Sequence, residues 1–590
     1  MHFRKVRVQL EACGGAIAST VMRHGQEAPS PNGMDIFVHP LLRAWRPPVR
    51  PANIAHEMRR PESPSMAARA KRIAVRFRPL WRPLAAAIGG AVFVQSFAFD
   101  LAFWAAWVGM TIWFLATQDT SRRGAVVAGM GFALGITLGG VQWIFHTHAQ
   151  AMDATPKGAW VLPVVVVAIG TLIVLLLSAI AAGGPKYRPL RLGVLVPATW
   201  TALDALRATG DWALPWFSLG LSQVPYSPLA PLAPVAGMLG VGFACASMCG
   251  LVATSVLARR GGRDSWRTPA LGALGIAAVS AALVLAPWTQ ATGRAVRAAV
   301  VQGNFDSGQL ADPVALKTSL DFYANAIRNA DAQLLVLPEG ATHRPAAEVS
   351  TYLRHASDFA RATGRDVLIG TYEMDSASGL RYNTALSLGE SGVQTVRKRR
   401  LVPFGEFVPA PEILGGLFSP RHIVESQAAG RGSGEQSNPV LAGIRVGVMI
   451  CFDVAFPQTS RELGGSALLA DMGDDGWSDS TLLRLQHLRL SQARALETGR
   501  PVLRAVNSGI SAVIDHHGRV LARLEPGDLA LLEATVLPRE GITPFVRFGF
   551  APVPILLLLT ALLAYSALRM QRRPAGTPPR TGDSLDAIPA

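Results

Sequence analysis

Two reactive side chains in this chain follow directly on apolar, strand-like runs, and a third lies between them in sequence. Glu339 ends the block Leu-Leu-Val-Leu-Pro-Glu, and Cys451 ends the block Val-Gly-Val-Met-Ile-Cys. Lys398 lies in a basic stretch, close in sequence to Glu406. A strand end holds a side chain rigidly and exposes it, and open α/β folds build their sites there. These residues are therefore candidates for catalysis.

Thiol, carboxylate and ammonium groups together suffice for acyl transfer through a thioester. A thiol is a poor nucleophile until it loses its proton, and Glu339 can take the proton of Cys451 as a general base. The Lys398 ammonium would favour the thiolate and stabilise the oxyanion of a tetrahedral intermediate. The predicted catalytic residues are thus Glu339, Lys398 and Cys451.

Each of these residues also has a simpler interpretation when it is taken alone. A glutamate after a strand is commonly a surface or capping carboxylate, and a lysine among arginines commonly lies on a solvated face. A single cysteine after a strand is often a small core residue. The helices and strands around each residue determine which of these interpretations applies.

The composition indicates a membrane protein. Half of the 590 residues are hydrophobic and only 16% are charged, which is low for a soluble chain of this size. Apolar segments long enough to cross or nearly cross a bilayer predict about eight spans. They lie at about 84–99, 101–117, 124–147, 159–183, 192–209, 233–258, 269–289 and 549–568. The first two are short and could instead form one hairpin or tilted pair.

Basic residues predict the orientation of these spans. Counting spans puts every basic cluster on one side, and that side is expected to be cytoplasmic. The clusters are at 69–82, 122–123, 186–191, 259–267 and 569–573. Both termini are then cytoplasmic, and the segment between the last two spans lies outside. The net charge of +16 follows this membrane pattern, so no nucleic-acid partner is predicted.

The outer segment, 297–540, alternates short β-branched runs with polar helical stretches, which predicts an α/β domain. Cys451 is the only cysteine in it, and an unpaired thiol facing an oxidising compartment is a liability unless it has a function. Cys245 and Cys249 lie inside an apolar run and are expected to pack there, without a disulfide or a metal. The Gly-, Ser- and Pro-rich stretch 412–440 predicts a long loop and a candidate lid.

The remaining parts of the predicted organisation lie at the two ends and in the membrane. Residues 1–83 are polar and lack periodicity, which predicts a disordered N-terminal extension, with Met66 as an alternative start. A seven-helix membrane domain is expected at 84–289, a C-terminal membrane helix at 549–568 and a cytoplasmic tail at 569–590.

The blocks around the candidate residues resemble the membrane-embedded branch of the nitrilase superfamily, the apolipoprotein N-acyltransferases. The soluble-domain blocks are specific to that family, and 140–144 and 217–223 in the membrane part resemble it more loosely. The matching soluble blocks are Pro338-Glu339, Lys398-x-x-Leu401-Val402-Pro403-Phe404-Gly405-Glu406-Phe407-Val408-Pro409, Ile450-Cys451-Phe452-Asp453, Gly476-Trp477 and 493–511.

This resemblance implies a four-layer αββα sandwich and a ping-pong reaction without a metal or organic cofactor. The cysteine would take an acyl chain from a membrane phospholipid and pass it to the N-terminal amine of a diacylglyceryl-cysteine lipoprotein. It further implies a bacterial inner-membrane enzyme acting as a monomer. Supporting residues would be Glu406, Asp453 and Phe452, and substrate-binding residues would be Trp477, Gln302 and Asn507.

Three departures from the family pattern leave alternatives open. Relatives usually carry Cys-Tyr-Glu where this chain has Cys451-Phe452-Asp453, and the shorter Asp453 must reach its partners differently. The tryptophan expected soon after Asn304 is missing, and the family's Asn-Asp-x-Trp-Phe begins here at Asp474 and ends at Ser478. One alternative is a divergent paralogue that hydrolyses amides or acylates another amine. The other is a membrane scaffold without catalytic activity.

Overall fold

The computed structural model describes residues 4–10, 19–22, 80–145, 155–262 and 264–572. The first seven labelled helices belong to the membrane part. They are α1 Trp81–Gln95, α2 Phe103–Ala116, α3 Arg122–Ile136, α4 Pro156–Gly183, α5 Val196–Arg207, α6 Ala233–Arg260 and α7 Arg267–Leu283. Shorter helical turns lie at Thr137–Val141, Arg188–Leu190, Arg191–Leu195, Leu219–Gln223, Ala230–Leu232 and Asp264–Trp266.

The later helices belong to the soluble domain, except for the last, which is again apolar. They are α8 Pro313–Asn329, α9 Ser350–Ala362, α10 Pro411–Leu414, α11 Pro420–Gln427, α12 Pro457–Glu462, α13 Thr481–Thr498, α14 Pro544–Phe548 and α15 Pro552–Arg572. Helical turns also lie at Gly415–Leu417 and Cys451–Ala455.

Within the described residues, five helical stretches are long and apolar enough to cross a membrane. They are Arg122–Val141, Pro163–Gly183, Ala230–Arg260, Asp264–Leu283 and Pro552–Arg569. Helices α1, α2 and α5 are shorter. At ~1.5 Å per residue, α1 extends ~22 Å, against a hydrocarbon core of ~30 Å. The structure therefore supports several apolar helices in the membrane part, and the count of about eight spans stays a prediction.

Helices α1 and α2 form an antiparallel hairpin, as the alternative interpretation of these short segments proposed. The Arg82 guanidinium, near the start of α1, donates hydrogen bonds to the carbonyls of Ala116 and Asp119, both at 3.1 Å. Helix α3 packs closely on α1 through glycines. A Cβ on Gly135 would lie 2.0 Å from the carbonyl oxygen of Ala87, so only glycine permits this approach.

The strands form two main sheets. They are β1 Arg4–Leu10, β2 Ser19–Met22, β3 Thr289–Ala291, β4 Val296–Gln302, β5 Leu334–Val336, β6 Asp366–Met374, β7 Arg381–Gly389, β8 Thr395–Arg397, β9 Ala429–Gly430, β10 Val440–Leu441, β11 Ile444–Ile450, β12 Leu468–Gly473, β13 Val502–Val506, β14 Ala512–Ile514, β15 Val520–Arg523, β16 Ala530–Val536 and β17 Arg539–Gly541. In the described part of the chain, the larger sheet has the order β2-β1-β16-β4-β5-β6-β7-β8, with β9 beside β7. The smaller has the order β10-β11-β12-β13-β14-β15, and β17 pairs with β3.

The two sheets pack face to face and carry helices on their outer faces, which confirms the predicted αββα layers. Buried aliphatic side chains of β4, β5, β11, β12 and β13 form one core between the sheets. A second core joins the outer face of the larger sheet to α8 and α9. A third joins the smaller sheet to α13 and continues into the membrane helices. Helix α13 is therefore buried against both the sheet and the membrane bundle.

Two regions differ from the sequence predictions. Strand β1 lies within the extension predicted to be disordered and pairs in parallel with β16, so disorder does not hold for Arg4–Leu10. Because β1 joins the catalytic sheet, it lies with that domain, and the side of the membrane on which the N-terminus lies stays a prediction. Most of 1–83 and the tail beyond Arg572 lie outside the described residues. The stretch 412–440 is not a continuous loop, because α11 and β9 interrupt it.

Candidate active site

Cys451 lies at a sharp turn immediately after β11. The strand ends at Ile450, and Cys451 begins a helical turn to Ala455 with a positive φ of 51°. A residue with a Cβ rarely adopts this backbone conformation, and its strain holds the thiol at the strand end. The residue is 9% exposed, so the thiol lies in a largely buried site.

Glu339 follows β5 and is held by an asparagine that the sequence analysis missed. The Asn383 side chain, on β7, donates a 2.7 Å hydrogen bond to Glu339 Oε1, and the Asn383 carbonyl accepts from the Lys398 amide at 2.8 Å. Asn383 thus aligns two of the predicted catalytic residues at once. Its place inside a strand, where asparagine is uncommon, was the signal that could have found it.

Lys398 lies between two carboxylates and is 1% exposed. Its ammonium donates to Glu339 Oε1 at 3.2 Å and to Glu406 Oε1 at 2.7 Å. Burial alone would lower the Lys398 pKa, but the thiolate form of Cys451 and the two carboxylates raise it well above its usual value. The lysine is therefore a fixed positive charge, and the solvated-face interpretation is wrong.

The electrostatics favour general-base activation over a preformed thiolate. Burial raises the pKa of the Cys451 thiol well above its usual value, and the negative charge of Glu339 raises it further. Lys398 lowers this pKa but is outweighed. A raised thiol pKa favours the protonated thiol at rest, and the predicted general base, Glu339, would then accept its proton as the sulfur attacks.

Glu406 does more than pair with the lysine. Its second oxygen, Oε2, accepts a 2.8 Å hydrogen bond from the amide of Val402, which fixes the turn after the lysine segment. Its side chain is 28% exposed and borders a polar cavity of about 190 Å³, which Asn383, Arg381 and His422 also line. Glu406 therefore connects the buried catalytic groups with an accessible space.

Asp453 reaches the lysine segment through backbone amides, which explains how the shorter side chain works here. It is fully buried, and its Oδ1 accepts from the amides of Arg399 at 3.2 Å and Arg400 at 2.8 Å. Its Oδ2 accepts from the Ile450 amide at 3.2 Å. Burial raises the Asp453 pKa, while the charges of Arg400 and Arg399 oppose this effect. Asp453 thus joins the lysine segment to the nucleophile turn.

Phe452 packs into the core beside the site. Its ring meets that of Phe456 edge to face, with centroids 5.1 Å apart, and it is 4% exposed. This places Phe452 as a packing support for the nucleophile turn. Trp477 is 39% exposed at the loop after β12, and its role as a binding residue stays a prediction.

Gln302 and Asn507, two predicted substrate-binding residues, have hydrogen-bond partners within the protein. Gln302 is fully buried, donating to the Glu525 carbonyl at 2.7 Å and accepting from the Ser511 amide at 3.1 Å. Asn507 is also fully buried and bonds both the amide and the carbonyl of Phe305, at 3.1 and 2.7 Å. Both residues therefore hold loops beside the site, and their contact with a substrate stays a prediction.

A second carboxylate near the base was not among the predicted site residues. Asp474 accepts hydrogen bonds from Ser307 Oγ at 3.0 Å and the Gly476 amide at 2.9 Å. Burial raises the Asp474 pKa to about 6, and the charge of Glu339 adds to this effect. Its place after β12, the strand beside β11, was the signal that could have found it.

A segment that we call the arm, residues 403–431, lies against the membrane loops. The Leu417 carbonyl accepts from the Thr155 amide and hydroxyl, both at 3.0 Å. Arg431 pairs with Asp211 at 2.6 Å, and both side chains are largely exposed. The arm thus contacts the membrane part at two points, and its role as a lid stays a prediction. Within the described residues, no three His, Cys, Asp or Glu side chains are grouped to hold a metal.

Comparisons with known proteins match both the soluble and the membrane parts of the chain. Residues 297–540 match the carbon-nitrogen hydrolase family, and residues 89–251 match the apolipoprotein N-acyltransferase N-terminal domain. The chain is 32% identical to the apolipoprotein N-acyltransferase of Nitrosomonas europaea, over 75% of this chain and 90% of that protein. It is 31% identical to that of Azotobacter vinelandii, over 84% and 98%. A solved amidase from Nesterenkonia sp. is 22% identical, with a TM-score of 0.33, over 44% of this chain and 95% of that one.

Proposed function

The chain belongs to the apolipoprotein N-acyltransferase family, and on that premise we propose that Cys451 carries the acyl group as a thioester between two half-reactions. It is an acyltransferase with a nitrilase-like catalytic domain and several apolar membrane helices. The proposal concerns the residues that act, the donor and acceptor, and the side of the membrane.

In the first half-reaction, the Cys451 sulfur attacks an ester carbonyl of a membrane phospholipid while Glu339 takes the thiol proton. The carbonyl oxygen becomes an oxyanion, which the Lys398 ammonium stabilises. The intermediate collapses, the carbon–oxygen bond to the lysophospholipid breaks, and Glu339 gives its proton to the departing oxygen. The products are a thioester on Cys451 and a lysophospholipid.

In the second half-reaction, the N-terminal amine of a diacylglyceryl-cysteine lipoprotein attacks the thioester carbonyl. Glu339 takes a proton from the attacking nitrogen, and Lys398 again stabilises the oxyanion. The carbon–sulfur bond then breaks, and the Cys451 sulfur recovers the proton from Glu339. An amide forms on the lipoprotein, and the enzyme returns to its starting state.

One observation carries this proposal. The Lys398 ammonium bonds to Glu339 at 3.2 Å inside a buried site, and the thiol on the strained turn couples electrostatically to both groups. A binding scaffold has no need of a buried ammonium placed between two carboxylates, because desolvating those charges is unfavourable unless they serve a function.

The test is to trap the thioester. With phospholipid alone, intact mass spectrometry of the wild-type chain should show a mass increase of one acyl chain that hydroxylamine removes, and Cys451→Ala should show none. Adding a diacylated lipopeptide should discharge the adduct and yield a triacylated peptide. Hydrolysis to free fatty acid without peptide acylation would instead support the divergent amidase. No adduct on the wild type would refute the mechanism.

We further propose that the catalytic domain lies on the outer side of a bacterial inner membrane and that one chain suffices. Basic side chains gather at one end of the membrane helices, where Arg188 pairs with Asp119 and Arg191 donates to Gln118 at 2.7 Å. Under the positive-inside rule, that end is cytoplasmic. Labelling single cysteines introduced at Lys186 and Glu525 with a membrane-impermeant maleimide should modify only the second in intact spheroplasts.

A further inference from the structure

Membrane helix α6 is broken near its outer end, and the break contacts the catalytic domain. Gly237 departs from helical geometry, with φ 62° and ψ −173°. A Cβ at this position would lie 2.3 Å from the ring of Phe545, so glycine is required for the close approach. The break frees the amide of the next residue, Met238, from the regular pattern of helix hydrogen bonds.

A carboxylate from the catalytic domain binds this freed amide. The Met238 amide donates a 2.9 Å hydrogen bond to Oε1 of Glu497, which lies near the end of α13. Glu497 is fully buried, and the two residues are far apart in sequence. A soluble-domain side chain thus takes the place of the missing helical acceptor inside the membrane bundle.

The other oxygen of the same carboxylate binds the helix that follows the Cys451 turn. Glu497 Oε2 accepts from Ser460 Oγ at 2.7 Å, and Ser460 belongs to α12, which follows the Cys451 turn. The neighbouring Thr459 hydroxyl bonds the Asp453 carbonyl at 2.7 Å, which attaches α12 to that turn. A continuous chain of contacts therefore joins the break in α6 to the nucleophile.

We propose that Glu497 is a positioning residue that fixes Cys451 relative to the membrane bundle, so that the thiol meets an ester held in the bilayer. This inference rests on the proposed function. A lipid donor cannot adjust its depth freely, because its chains stay in the hydrocarbon. A misplacement of about 1 Å can lower a rate about a hundredfold. A water-soluble ester, by contrast, diffuses to the thiol wherever it lies.

The contacts explain why a carboxylate is used at this joint. It needs two acceptor oxygens, one for the Met238 amide and one for the Ser460 hydroxyl, and Arg494 balances its charge at 3.2 Å. Both oxygens are committed on opposite sides, so the geometry of one contact constrains the other. A buried, fully bonded group of this kind resists rotation better than an apolar contact does.

The experiment compares two acyl donors on the full-length chain reconstituted in vesicles of total bacterial phospholipid. The lipid itself is one donor, and p-nitrophenyl butyrate, a water-soluble ester, is the other. The rate of adduct formation on Cys451 is measured for Ser460→Ala, which cuts the link to α12 but keeps Glu497 and its charge partner. Glu497→Ala is the second variant, and it also leaves Arg494 unpaired.

The matched control is Thr498→Val, which removes a buried hydroxyl of α13 that bonds only within its own helix, to the Arg494 carbonyl at 2.8 Å. We expect Ser460→Ala and Glu497→Ala to slow acylation from the lipid at least about fivefold while staying within about twofold of the control with the soluble ester. Equal losses with both donors, or no loss for Ser460→Ala, would overturn the inference. No adduct from lipid on the control would indicate failure of the proposed function instead.

Discussion

Asp453→Asn should slow acylation of Cys451 because it uncouples the nucleophile turn from the lysine segment. Asparagine keeps one oxygen for the amides of Arg399 and Arg400. Its amide nitrogen would face the Ile450 amide, which now donates to Oδ2 at 3.2 Å. Two hydrogen-bond donors, the asparagine side-chain NH2 and the Ile450 amide, would then face each other in a fully buried position.

The size of the effect follows from that lost bond. An unsatisfied buried donor costs about 1–3 kcal/mol. We expect this loss to weaken the placement of Cys451 against Lys398 in the transition state. The acylation rate should then fall between about fivefold and a hundredfold, because about 1.4 kcal/mol corresponds to a tenfold change in rate. The assay is the rate of adduct formation on Cys451 with phospholipid vesicles, beside the midpoint of thermal unfolding.

A matched control separates positioning from stability. Asp366 is also buried at 2% exposure and also accepts from backbone amides, those of Ser391 at 2.8 Å and Ala442 at 2.7 Å, but it lies away from the site. Asp366→Asn should lower the unfolding midpoint without slowing the folded enzyme. Equal acylation rates for the two variants would show that the reasoning about Asp453 is wrong.

Three further predictions follow from the charges and contacts of the site. Glu406→Gln should speed alkylation of Cys451 by iodoacetamide at pH 8, because removing the Glu406 charge lowers the thiol pKa. The same variant should slow acyl transfer. Slower alkylation than in the wild type would contradict the predicted effect on the thiol pKa. Because burial raises the Asp474 pKa to about 6, the native state binds more protons than the unfolded state, and wild-type stability should fall relative to Asp474→Asn as pH rises from about 4 to about 6. If the midpoint of thermal unfolding changed with pH in the same way for the wild type and Asp474→Asn, the predicted effect of Asp474 on stability would be excluded. Oxidising a Thr155→Cys, Leu417→Cys pair should join the arm to the membrane part and stop turnover until a reductant is added, and unchanged turnover would exclude the lid.

The positions of Glu339 and Cys451 at strand ends were predictable because their signals are local. Glu339 and Cys451 each end an apolar run, and such runs form strands whatever their neighbours are. The apolar membrane segments are also local signals. The span count was less certain, because α1 and α2 are individually too short for length alone to decide whether they cross.

The roles of the surrounding polar residues could not be read in this way. Gln302 and Asn507 stand in blocks that resemble the family, which suggested substrate contacts, yet both are buried and bonded to loops. Asn383 was missed although it bonds the base directly. A motif reports that a residue is near the site, but only its exposure and its partners separate a substrate contact from a support.

The sequence by itself determined which groups are available: a thiol and a carboxylate that each end an apolar run, and a lysine between them, in a chain of apolar segments with basic clusters. Tertiary structure alone decided how these groups are held, because the holding bonds join distant parts of the chain. Asp453 binds amides some fifty positions earlier, and Glu497 binds the amide of Met238 in a membrane helix. No local pattern encodes such pairs, since they form only when packed layers bring one buried donor to one buried acceptor.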